Sequence, residues 1–86
     1  MRAIQIHAAG NTYNPCLIVL AEKGYALTVE NGDATQIWVA KKGECTFSGS
    51  SPPELLGIVA LGETFGNDWN RQEPDLLGKI CPELRA

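Results

Sequence analysis

Apolar residues recur along this chain with two different periods, and the switches between them lay out the elements. In residues 3–8, AIQIHA, Ile4 and Ile6 alternate with Gln5 and His7, the pattern of a half-buried strand. Asn14-Pro15 then opens the run CLIVLAEK, which Gly24 closes. Its β-branched centre also suits a strand, but the Asn-Pro start and the Lys-Gly stop favour a short helix. Period two returns in residues 25–30, 36–41 and 44–48. Asn31-Gly32 offers the positive φ of a turn between the first two runs, and Lys42-Gly43 a corner between the second pair, so the three predict an antiparallel meander.

Residues 51–66 carry the clearest helix signals. Ser51 suits the N-cap, Pro52 the first helical position, and Glu54 completes a capping box, while Gly66 suits a left-handed stop. At the helical period, Leu55, Ile58, Val59, Leu61, Gly62 and Phe65 gather on one side as a core stripe. The far side ought to be charged. It holds Gly57, Ala60 and Thr64, with Leu56 beside Glu63, and only Glu54 and Glu63 are charged between Pro52 and Phe65. A small, uncharged back face lets another backbone approach closely. Its cover is the C-terminal segment, a second copy of the chain or a protein partner, which makes Leu56, Gly57, Ala60, Glu63 and Thr64 interface candidates. A polar loop with Trp69 and Arg71 follows, then a weak helical turn over residues 74–80.

The order strand, helix, three strands, helix (β-α-β-β-β-α) predicts an α+β fold, a small two-layer domain with an antiparallel sheet and both main helices on one face. Tyr25, Leu27, Val29, Ile37, Val39, Cys45 and Phe47 are expected to point inward with Ile4 and Ile6. Gln5, His7, Thr28, Glu30, Trp38, Thr46 and Ser48 then share the opposite face. Trp38 stands out there: it is either an anchor for a partner or an aromatic packed flat against Thr28 and Thr46.

The 86 residues make one domain, 1–86, and 44% apolar content is that of a globular protein. Ten acidic against seven basic residues give a net charge of −3, which supplies no positive field for a phosphate backbone and argues against nucleic-acid binding. The apolar run at residues 15–21 is too short to span a bilayer, and no targeting segment is visible. Cys16, Cys45 and Cys81 are an odd number at wide spacing, which fits a reduced cytosol better than a disulfide framework. The expected location is the cytoplasm.

The sequence offers little for catalysis. Phosphate-binding glycine loops, dinucleotide fingerprints and the nucleophile elbow are absent, and the glycines at 57, 62 and 66 lie in or at the end of a helix. Asp68, Asn70 and Gln72 begin like a calcium loop, but Glu73 occupies the position of its required Gly and Lys79 that of its bidentate Glu. His7 is the only histidine; the strand assignment turns it away from Cys16 and Cys45, while Cys81 is expected as an exposed thiol. Paired C-x-x-C spacing is lacking, so neither a zinc site nor any cofactor is expected. Trp69 and Arg71 either rim a small-ligand pocket with Glu73 or Asp75, or cap the core end and pair on the surface.

Two resemblances are of pattern. Helix, three strands and helix over residues 15–66 resemble the order of a double-stranded-RNA-binding domain, but Ser51, Pro52, Pro53 and Glu54 stand where that activity requires basic residues. The meander followed by Ser-Pro-Pro-Glu and an apolar helix, residues 25–65, resembles small bacterial antitoxin and immunity proteins and orphan proteins of mobile gene cassettes. That resemblance implies binding to a protein partner. The expectation is a protein-interaction module that docks a partner or itself, as a homodimer, through residues 51–66, with Trp38 and Trp69 as further contacts. The competing expectation is a small-ligand or enzymatic domain using His7 with Trp38, or the Trp69 and Arg71 region.

Overall fold

A computed structural model describes residues 3–84. In chain order it holds α1 (Tyr13–Glu22), β1 (Ala26–Asn31), β2 (Gln36–Lys42), β3 (Cys45–Gly49), α2 (Pro52–Phe65) and α3 (Leu76–Ile80), with short 3-10 turns before α1, after α2 and after α3. The sheet is antiparallel and open, in the order β1-β2-β3. Helices α1 and α2 pack on each other and on one face of it, α1 over β1 and α2 over β2 and β3. The architecture is α+β.

Local chemistry explains most boundaries. Pro15 falls in the first turn of α1, where its missing N–H costs nothing. Gly24, at φ +96°, stops that helix, and the Tyr25 N–H returns to the Leu20 carbonyl at 3.1 Å. At the start of α2 the Ser51 side chain accepts from the Glu54 N–H at 3.3 Å. The Glu54 carboxylate closes the box one residue further upstream than expected, accepting from the Ser50 N–H at 2.7 Å and the Ser50 hydroxyl at 3.0 Å. Gly43 has positive φ at the β2–β3 corner, as expected, but Gly32 does not. Asn31 continues β1 opposite Gln36, and the Gly32 N–H closes the loop by donating to the Thr35 carbonyl at 2.7 Å.

Two expectations about strands are corrected. Residues 3–8 form no strand, and Ile4 and Ile6 are 79% and 77% exposed. Period two records which side chains share a face; it supplies no neighbouring strand, and among the described residues none pairs with this segment. The parity of β2 is also reversed. Leu27 pairs with Ala40 and Ala40 with Phe47, while Val29 pairs with Trp38 and Trp38 with Gly49, so all six share the helix side. Trp38 and Ala40 therefore face the helices, and Ile37 and Val39 face away. A shift of one residue inverts a whole strand in this way. Ala40 is fully buried, and the large Trp38 side chain packs against the core beside it. Val29 lies on the helix side yet is exposed, as is Cys45 near the sheet's end.

The core is Leu20, Tyr25, Ala40, Leu55 and Val59, flanked by Leu27, Trp38, Phe47 and Leu56. Tyr25 and Phe47 meet edge to face at 6.0 Å. Two glycines permit the close approach of α2. A Cβ at Gly49 would sit 2.9 Å from the Leu55 backbone nitrogen, and one at Gly62 would run into the Phe47 ring.

This core is small for the surface around it. The chain exposes 6941 Å², whereas a compact monomer of 9.3 kDa exposes about 5,000 Å². Its radius of gyration is 15.0 Å, against about 12 Å expected for this length.

Candidate docking surface

Around α2, four sides have different surroundings. Leu55, Val59 and Gly62 face the sheet. On the α1 side, Leu56 packs against the core and Glu63 accepts from Lys23 Nζ at 3.0 Å and from the Tyr25 hydroxyl at 2.9 Å. Those bonds, from Lys23 first and then Tyr25, hold the Glu63 carboxyl below its ordinary pKa. Burial, then the Glu63 bond, pushes the Tyr25 phenol above its own. Leu56 and Glu63, expected on the open back face, are thus engaged within the chain, because the helix is turned toward α1.

The remaining back-face candidates are open. Gly57, Ala60 and Thr64 are exposed, and beyond the helix's own backbone no described residue lies within 4 Å of the position a Cβ on Gly57 would take. Residues 67–84 leave them exposed; α3 packs chiefly on the turn that follows it. Leu61 and Phe65, expected in the core stripe, are 38% and 37% exposed, so the buried stripe of α2 is narrower than its apolar one. The Arg71 guanidinium lies over the Phe65 ring at 5.2 Å.

On its fourth side α2 forms one wall of an open groove of about 500 Å³, through Ile58, Leu61 and Gly62. Residues 44–48 form the other wall, and Gly66, Asn67 and Trp69 complete the lining. Successive strand residues point to opposite faces. Five consecutive residues in one lining therefore place the groove along the strand's edge. Among the described residues that edge is free, since β3 pairs there only with β2. Phe47, Ile58, Leu61 and Trp69 make the groove largely apolar, and Leu61 joins it to the back face.

The other candidates separate. His7 lies in the exposed segment of residues 3–8, while Trp38 faces the helices, where its indole N–H is buried without a hydrogen-bond partner. Trp69 lines the groove, whereas Arg71 lines a different hollow with Thr64, Phe65 and Asp68 and donates to the Glu73 carbonyl at 3.4 Å. The three cysteines are unpaired; Cys45 is exposed, and Cys16 and Cys81 are half-buried. Cys81, expected to be exposed, is partly covered in the segment after α3. Among the described residues no cluster of His, Cys, Asp and Glu gathers that would hold a metal, and no helix is long and apolar enough to cross a membrane. The pairing of Ile58 and Leu61 with the β3 edge was missed from sequence. Its available signal was that the last strand of a meander ends at an edge.

Scanned against protein-family models and compared with curated proteins and solved structures, the chain matches none.

Proposed function

We propose that the chain is a cytoplasmic protein-interaction domain that associates with a second copy of itself through the surface shared by α2 and the edge of β3. The carrying observation is the connected, uncovered surface of Gly57, Ala60, Leu61 and Thr64 on the back of α2, continuing through Leu61 into the apolar groove with Phe47, Ile58 and Trp69. The chain's exposed area of 6941 Å², above the about 5,000 Å² of a compact monomer of its mass, leaves room for an interface of standard size, about 800 Å² from each partner. Free thiols at Cys16, Cys45 and Cys81 suit a reducing compartment.

The test is solution mass by light scattering over a dilution series, for the parent and for Leu61→Glu and Ala60→Glu. Both positions are exposed, so the variants keep the monomer fold, which circular dichroism verifies. The reading requires a parent dimer that each added charge weakens. A parent that is monomeric throughout, or variants as associated as the parent, would contradict it.

A further inference from the structure

We infer that the groove is filled by residues 3–8 of a second copy, which add to β3 as a fourth strand. This rests on the reading of the α2–β3 surface as the docking surface and names its occupant. Three independent observations meet there. First, among the described residues β3 has one unpaired edge, and a strand edge presents a row of free N–H and C=O groups that another extended chain satisfies. Second, residues 3–8 alternate as a strand does, yet form no regular structure and leave Ile4 and Ile6 almost wholly in water. Third, the two alternations match. On β3, Phe47 faces the helix side, and Thr46 and Ser48 face away. A strand laid along this edge with Ile4 and Ile6 on the helix side sets them against Phe47, Ile58 and Leu61, while Gln5 and His7 join the polar outer face. Six residues also match the five of β3 in length. If each copy gives its segment to the other, the assembly closes as a two-fold dimer with both edges covered.

The test uses the full chain, with hydrogen exchange and light scattering on the parent, on Leu61→Glu and on the double variant Ile4→Asp/Ile6→Asp. In the parent, the amides of residues 3–8 and of β3 should exchange slowly at high concentration and lose that protection together on dilution. The double variant should associate at least about 100-fold more weakly, since it puts two carboxylates where two isoleucines are buried. A parent dimer in which residues 3–8 exchange freely would overturn the inference. So would a double variant as associated as the parent; if Leu61→Glu then still dissociates, the docking surface stands and only its occupant is wrong. Protection at β1 in place of β3, or in a concentration-independent monomer, would also overturn it, the first by naming the other edge and the second by placing the strand within one chain. A double variant and Leu61→Glu both as associated as the parent would remove the docking surface as well.

Discussion

The Tyr25 hydroxyl and Lys23 Nζ donate to opposite oxygens of the Glu63 carboxylate, Tyr25 to Oε2 at 2.9 Å and Lys23 to Oε1 at 3.0 Å. The corner between α1 and β1 is thereby tied to the last turns of α2. Lys42 adds to the same cluster, with its ammonium 5.4 Å from the centre of the Tyr25 ring and donating to the Lys23 carbonyl at 2.7 Å. This polar clasp fits the rotation that Leu55, Val59 and Gly62 impose by packing on the sheet, and that rotation decides which side of the helix is left open.

The clasp makes stability depend on pH in two directions. Glu63 has a folded pKa below its unfolded one, so its contribution is complete above the ordinary Glu range, near 4.3, and is lost as pH falls through the folded value. Glu54, lowered by its bonds from the Ser50 backbone and hydroxyl, acts in the same sense. Tyr25 is raised, so its contribution is complete below about pH 10 and is lost as pH rises through its folded value. Urea midpoints measured against pH should fall on both sides of a neutral plateau. Glu63→Gln should shrink the acid limb without abolishing it, because Glu54 remains. Tyr25→Phe should remove the alkaline limb and cost about 0.5–1.5 kcal/mol at neutral pH.

Glycine substitutions should separate the covered side of α2 from its open side. Gly49→Ala forces a methyl against the backbone of Leu55 and Glu54, which cannot swing aside as a side chain would. A loss of roughly 1–3 kcal/mol is expected. Gly57→Ala meets nothing and replaces a poor helix former, so a gain of up to about 1 kcal/mol is expected. Denaturant unfolding of both variants, at dilutions where the chain is monomeric, checks the pair; a loss at Gly57 there would show that something covers the back face in the free monomer.

How far the sequence revealed this arrangement depended on whether the deciding chemistry was local. Ser51, Pro52, Gly24 and Gly43 act on their own backbone, and α1, α2 and the meander lie close to where they were expected. The capping box shifted by one residue because Ser50 and Ser51 are equivalent in type, and only geometry chooses between them. Strand parity is not local. Residues 37–40 read Ile-Trp-Val-Ala, apolar on both parities, so the sequence could not say which pair faced the helices; the tight approach of α2 selects the small Ala40 and its neighbour Trp38. The segment of residues 3–8 failed for a related reason, since its pattern is complete but among the described residues no strand pairs with it. The candidate surface was half legible. Gly57, Ala60 and Thr64 lie away from the core, as the helical period implied, but are exposed where their lack of charge implied a cover, whereas Leu56 and Glu63 depended on where Lys23 and Tyr25 would lie, and the groove depended on which strand became an edge.

The two tryptophans should report association differently. Trp38 packs against the core, while Trp69 is 54% exposed at the groove. In a Trp38→Phe chain the remaining emission belongs to Trp69 and should move to shorter wavelength, with weaker acrylamide quenching, as concentration rises. Emission independent of concentration in a chain that still dimerises would place the contact away from Trp69.

The most direct measurement is a concentration series of backbone amide and indole N–H spectra of the full chain. Shifts should concentrate in residues 44–48, in Ile58, Leu61 and Gly62, and at the Trp69 indole, while the Trp38 indole stays in place. Shifts confined to the outer sheet face, at Thr28, Ile37, Val39 and Ser48, would contradict association through α2 and the β3 edge, as would spectra that do not change with concentration.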